Sequence, residues 1–283
     1  MQELHVGHGT TRGALTVFPI WGEHISAVAA ADDLMVTEQP SGPTVGRLRV
    51  VNRAPHPVAV LEGQILEGGW QNRMVARSVV IDRFGAVDVD VVCIEEGRWG
   101  GGGAHRDGRR RGSLRIRAGL RVDGNRQDAV WSRVRGYEAR RGATATCSFT
   151  AHDDRAGASI RPLIGGLAPL PGQIGVLIGL AGQPMSVDVF GNDALLRREF
   201  DSLIRSAAFD ALDLPAVATP ARRARRFLDR ADRVTTRRTD AAGAGWSIEG
   251  RDEYVIASGL DHDSLPAHRA LFNPRHELAL AGA

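Results

Sequence analysis

The sequence predicts an α+β protein, with an N-terminal β-sandwich or jelly-roll-like layer followed by an α/β portion holding a β-hairpin and two or three helices. Three observations predict it. Short β-branched runs, punctuated by Gly, Pro, Asn and Asp, fill the first hundred residues. A hairpin pattern followed by helical spacing begins near Pro169. An apolar content of 43% with 24% charged residues is that of a globular chain able to bury a core.

The strand candidates are Leu15–Ile20, Gly46–Val51, Val58–Leu61, Met74–Ile81 and Val87–Ile94. Within the last, Ala86-Val87-Asp88-Val89-Asp90-Val91 alternates apolar with acidic residues, a strand with one wet face. From Gly100 to Arg117 the glycines and arginines read as a flexible, solvated loop. Gln127–Arg140 reads as a helix with Val130, Trp131 and Val134 on one face. Gln173–Leu180 and Met185–Phe190 form a hairpin about Ala181-Gly182-Gln183-Pro184. A helix then starts at an Asn192 or Asp193 cap and carries Leu196, Phe200, Leu203, Ile204 and Ala207 at helical spacing. Thr219 and Pro220 open an arginine-rich helix through Arg233, and Ser247–Ser258 returns to strand. The expected organisation is a β-rich region at 1–100 carrying the candidate site, a Gly/Arg loop at 101–117, a helix–hairpin–helix–strand region at 118–260, and a polar, loosely held tail at 261–283.

All 36 basic residues are arginine. The absence of lysine excludes phosphate-loop NTPase, Schiff-base and protein-kinase chemistry. A net charge of +3 gives no case for nucleic acid. No apolar run approaches the length of a membrane span and no signal-peptide pattern opens the chain, so the expected location is the cytoplasm. Cys93 and Cys147 make neither a disulfide framework nor a zinc site, and the nine histidines show no metal-binding spacing. His152-Asp153-Asp154 reads as a polar loop.

Two segments carry the chemistry. Glu62-Gly63-Gln64-Ile65-Leu66-Glu67-Gly68-Gly69-Trp70-Gln71-Asn72-Arg73 and Cys93-Ile94-Glu95-Glu96-Gly97-Arg98-Trp99 both end apolar runs with glycines, carboxylates, amides and arginines. Such groups are costly to bury unless paired. Gly63, Gly68 and Gly69 allow close backbone approach. Gln71 and Asn72 offer donors and acceptors to a base edge or sugar hydroxyls, and Arg73 and Arg98 offer planar forks to anionic groups. Trp99 supplies a stacking face, and Glu62 or Glu95 a carboxylate for sugar hydroxyls or for base chemistry. Cys93 reads as a small buried hydrophobe.

In order along the chain, Phe18-Pro19-Ile20, the Glu62–Arg73 segment, Cys93–Trp99, Gln127 through Val130-Trp131, Pro171–Gly175, Asp188-Val189-Phe190 and Leu203–Ala207 resemble the ADP-ribosylglycohydrolase- and rhodanese/phosphatase-associated protein family, over roughly residues 13–260. The resemblance implies an association with ADP-ribose- and NAD-linked enzymes and no assigned reaction or cofactor. It transfers Glu62, Gly63, Gln71, Asn72, Arg73, Cys93, Glu95, Gly97, Arg98 and Trp99 as the site set. Trp70, where a basic or small residue is common, and the glycine-rich insertion after Trp99 depart from the family pattern. The resulting expectation is a protein binding a nucleotide or ADP-ribose-like ligand, with hydrolysis as the chemistry if there is any. A protein-interaction module using the arginine-rich segments and a cupin-like metal enzyme are the alternatives.

Overall fold

A computed structural model describes residues 3–32 and 34–280. The first half is all strand: β1 (His5–Val6), β2 (Thr10–Arg12), β3 (Leu15–Trp21), β4 (Ala29–Ala30), β5 (Leu34–Thr37), β6 (Arg47–Asn52), β7 (Val58–Val60), β8 (Gln64–Gly68), β9 (Arg73–Val75), β10 (Val79–Ile81), β11 (Ala86–Cys93) and β12 (Ala104–Arg111). Then come α1 (Leu114–Ala118), a 3-10 turn at Gly119–Arg121, α2 (Arg126–Arg141) and α3 (Phe149–Ile164). The hairpin β13 (Gln173–Leu180) and β14 (Gln183–Phe190) precedes α4 (Asp193–Ala211) and α5 (Ala221–Ala231). The chain closes with β15 (Thr236–Asp240), β16 (Trp246–Arg251), β17 (Ile256–His262), β18 (Leu265–Phe272) and α6 (Glu277–Leu280).

The α+β class holds, but the N-terminal strands do not form a sandwich. Six of them close a barrel in the order β11-β6-β5-β12-β8-β9, and β10-β7-β4 form a small separate sheet. Closure removes the strand edges that an open layer would leave exposed. The first three strands leave this half altogether. β3 pairs with β13 over Leu15–Trp21, so the nine-stranded antiparallel sheet (β1-β3-β13-β14-β18-β17-β16-β15, with β2 beside β3) crosses the boundary expected at residue 100.

Strand alternation builds two cores on this sheet. Val176 and Ile178 face Leu196, Phe200, Leu203 and Ala207 of α4, while Leu177 between them faces the cluster holding Ala224, Phe227 and Leu228 of α5. α4 also lies against the barrel strand β12 and so joins the two bodies. Asn192 caps it, accepting from Leu195 N at 2.8 Å, as the sequence predicted. Ala181 and Gly182, both at positive φ, make the hairpin turn that fits right-handed strand twist.

Five expectations need correction. Residues 101–117 are not a flexible loop: Ala104–Arg111 is the strand that pairs β5 with β8, and Ser113 caps α1. Its arginines are bound to carboxylates, Arg110 to Glu67, Asp153 and Asp154, and Arg111 to Glu199. The polar tail at 261–283 carries the end of β17 and all of β18, which inserts between β14 and β17; its last three residues lie outside the described residues. His152-Asp153-Asp154 lies in α3, where His152 and Asp153 are buried against Glu138 and Arg205. Met74–Ile81 is likewise two strands, broken at Ala76-Arg77-Ser78, and Ser247–Ser258 is parts of two.

Candidate functional site

The two predicted segments meet. Gln71 Nε2 donates to Glu95 O at 2.9 Å, and Asn72 N to Glu95 Oε2 at 3.1 Å. Arg98 grips the same Oε2 through Nε at 2.9 Å and Nη2 at 2.7 Å, and spends further donors on the carbonyls of Gly68, Gly69 and Gly100. Thr146 donates to Glu95 Oε1 at 2.8 Å. Burial pushes the Glu95 carboxyl up, but Arg98, the Asn72 amide and Thr146 outweigh it and hold it below the usual range. Asn72 Oδ1 accepts from Gly68 N at 2.9 Å while its Nδ2 donates to Thr150 at 3.0 Å. Gly69 has φ +53°, and a Cβ there would lie 2.0 Å from His105 Nε2, so the turn admits only glycine. Gly97 closes the other side, donating to Thr146 O at 2.8 Å.

This arrangement is a knot that spends most of its donors on itself, although Arg73 Nε and Nη2 are buried without a hydrogen-bond partner. Arg73 was expected on an anionic ligand, yet its side chain is fully enclosed and Nη1 donates to Gln71 Oε1 at 2.6 Å. Burial lowers its basicity, with the nearby Cys93 sulfur and Glu38 carboxylate partly offsetting this. Trp99 lies 5.7 Å over the Arg73 guanidinium, edge-on to Trp70. Arg98 is equally committed, to Glu95 and three carbonyls. Cys93 is buried, as predicted; its thiol donates to Glu95 O at 2.9 Å and burial raises its pKa. Gln127 pins the Cys93 backbone from both sides, at 2.7 and 2.9 Å.

Glu62 is elsewhere. Its carboxylate receives Arg121 Nη2 at 2.8 and 2.9 Å on its two oxygens, with Arg117 Nε at 3.6 Å. Gly63, at φ +87°, lets Arg117 pass: a Cβ would sit 2.8 Å from Arg117 Cδ. Arg117 continues to Asp188 at 3.1 Å, which His268 Nε2 also meets at 3.1 Å. Burial raises both carboxyls, but the guanidiniums, with His268 at Asp188, outweigh it, so Glu62 is held below its usual range and Asp188 far below. The chain thus carries a buried, alternating charge relay from the barrel to the middle of the large sheet. Phe272 backs it, with the Arg121 guanidinium 3.7 Å from its ring centroid.

The exposed end of the relay opens on a cleft of about 460 Å³, with Glu62 and Arg121 at its base. The barrel supplies Arg77, the start of α2 supplies Arg126 and the preceding turn Asp123, and β15–β17 supply Arg237, Glu249 and Arg251. Leu120, Ile248 and Ile256 add apolar wall. Arg77 and Arg237 share Glu249, at 3.3 and 3.5 Å, and Arg251 meets Asp123 at 3.2 Å. Arg126 makes no hydrogen bond or ion pair among the described residues. Of the predicted set, Glu62 alone lines this cleft.

A family model, the ARG and Rhodanese-Phosphatase-superfamily-associated Protein domain (ARPP-1), matches residues 3–272. The chain belongs to this family. The ARPP-1 domain therefore takes in the barrel, the large sheet and every residue of the relay and the cleft. No curated protein and no solved structure matches the chain. Among the described residues of this ARPP-1 domain no group of three or more His, Cys, Asp or Glu is arranged to hold a metal ion, and no helix is long and apolar enough to cross a membrane.

The sequence reading missed Arg117, Arg121, Arg126, Asp188 and His268. One signal was present: Asp188 is the only charged residue of a strand whose residues from Pro184 to Phe190 are all buried. A carboxylate there demands a buried cation.

Proposed function

We propose that the Glu62–Arg121 cleft binds an anionic, nucleotide-like ligand of the ADP-ribose type. The observation that carries this reading is the cationic excess in a concave site: five arginines line the cleft against three carboxylates, and Arg126 stands unpaired at its rim. Guanidinium forks suit phosphate oxygens, and a volume of about 460 Å³ falls within the range of small-molecule sites. Ser247 and Ser258 offer hydroxyls, and the apolar wall offers a surface for a flat ring.

The relay favours binding over turnover. With both oxygens covered by Arg121 and its pKa lowered, Glu62 stays ionised at neutral pH and is a poor proton acceptor. Its fitting role is to fix Arg121 and to accept a hydrogen bond from a ligand hydroxyl. The Glu95–Arg98 knot then serves as scaffold, holding the barrel turn between Gly68 and Arg73.

Thermal-shift titration tests the reading. ADP-ribose should raise the melting temperature of the wild type in a concentration-dependent way, and a variant carrying Arg77→Ala and Arg126→Ala should lose most of that shift. A folded wild type that no adenine nucleotide, ADP-ribose or NAD stabilises would overturn it.

A further inference from the structure

A second cavity, of about 660 Å³, lies on the opposite helix layer and shares no lining residue with the cleft. Arg223, Arg226 and Arg230 of α5 and Arg275, just beyond β18, line it against one carboxylate, Glu277. Three of these four arginines have no carboxylate partner among the described residues. Arg223 donates to Gly182 O at 2.6 Å, a neutral partner. Arg230 stands 4.1 Å over the ring of Tyr254, and Arg275 stands 4.3 Å from the same ring centroid. Tyr254 is fixed in turn, because its backbone and that of Val255 both donate to Asp252 Oδ1 at 2.7 Å. Only Arg275 has a carboxylate partner, Glu253 at 2.6 Å, while Arg226 has no hydrogen bond or ion pair among the described residues.

Several oriented arginines elsewhere are neutralised: Arg110, Arg111, Arg117, Arg198 and Arg205 each meet a carboxylate, whereas Arg73 and Arg155 are held by neutral oxygens. In this groove Arg223 and Arg230 are positioned by a carbonyl and an aromatic face, which orient without cancelling charge, and of the four only Arg275 is ion-paired. Like charges gathered in one concavity repel unless an anion joins them. The room exceeds that of a single phosphate, and planar forks bind phosphate oxygens in pairs. We propose that this groove is a second anion site that takes an oligophosphate chain, either free or carried on a nucleoside, held by Arg226 and Arg230 with Arg223 and Arg275 at its ends.

Calorimetric titration at low salt with sodium tripolyphosphate, ATP and penta-glutamate tests it, using the wild type, the double variant Arg226→Ala/Arg230→Ala, and Arg126→Ala in the other cleft. All four arginines of the groove are on its surface, so circular dichroism melting should show both variants folded. The expected result is a tripolyphosphate binding event that the double variant weakens by about tenfold or more and that Arg126→Ala leaves intact. Equal affinity for ATP and tripolyphosphate identifies the phosphate chain alone as the ligand. Tighter ATP binding that Tyr254→Leu removes identifies the nucleoside-borne form. No binding by folded wild type, a double variant that binds as the wild type does, or penta-glutamate bound as tightly as tripolyphosphate would overturn the proposal.

Discussion

Two carboxylate–arginine pairs of similar geometry sit at opposite fates in this molecule. Glu95 and Arg98 make contacts of 2.7–2.9 Å and Glu62 and Arg121 contacts of 2.8–2.9 Å, and in both pairs burial is outweighed so that the glutamate stays ionised. Around Glu95 the polar neighbours, Gln71, Asn72, Arg98 and Thr146, are bound to Glu95 itself, and Arg98 spends its remaining donors on backbone carbonyls. Around Glu62 the relay runs inward to Asp188 and outward to a cleft rimmed by more cations than anions. A paired charge therefore becomes a candidate for ligand work through what its surroundings leave unsatisfied, and the strength of the pair itself says little.

The largest expected effect comes from breaking the inward end of the relay. Asp188→Ala leaves Arg117 buried with its nearer carboxylate gone and only Glu62 at 3.6 Å, and should cost about 3–5 kcal/mol of stability in denaturant unfolding. A loss below about 1 kcal/mol would mean the relay is not the structural link described. Glu95→Ala should cost less, about 1–3 kcal/mol, because Arg98 keeps its carbonyl partners while Thr146 and the Asn72 amide lose their acceptor. If it removed ligand binding while stability stayed unchanged, the comparison would be inverted.

Acid should separate the parts by pH. Burial lowers the His268 pKa more than Asp188 raises it, so the unfolded histidine takes up a proton that the folded one refuses, and stability present above the ordinary value of 6.5 declines below it. Glu62 and Asp188 are held below their ordinary 4.5 and 3.8, so their contribution is present above those values and is lost as pH falls through the lowered folded pKa. Melting temperatures taken from about pH 8 to about pH 2 should fall in two stages, the first reduced by His268→Phe but shared with His105, His152 and His276, which burial also holds below the ordinary value. One drop confined to the carboxylate range would contradict the histidine part. The smallest effect on stability belongs to Arg126→Ala, whose unfolding free energy should stay within about 0.5 kcal/mol of wild type.

Locally encoded features were legible in the sequence: the β-branched runs, the Ala181-Gly182 turn, the Asn192 cap and the apolar stripe of α4 all depend on neighbours within a few residues. The elements that escaped depend on distant partners. β12 reads as a solvated basic run until Glu67, Asp153 and Glu199 are brought to it, and β18 reads as a polar tail until His268 is placed beside Asp188. The meeting of the Gln71–Arg73 and Cys93–Trp99 segments was foreseeable because both end strands that feed the same barrel. The cleft was not, since Glu62 and Arg121 are 59 positions apart and Ser258 lies 137 beyond Arg121.

The most direct test is a calorimetric titration of ADP-ribose into Arg126→Ala and Arg98→Ala beside the wild type, each confirmed folded. The account predicts that Arg126→Ala weakens binding by about tenfold or more while Arg98→Ala binds as the wild type does. Binding lost in Arg98→Ala and kept in Arg126→Ala would contradict it and return the ligand to the Glu95 turn.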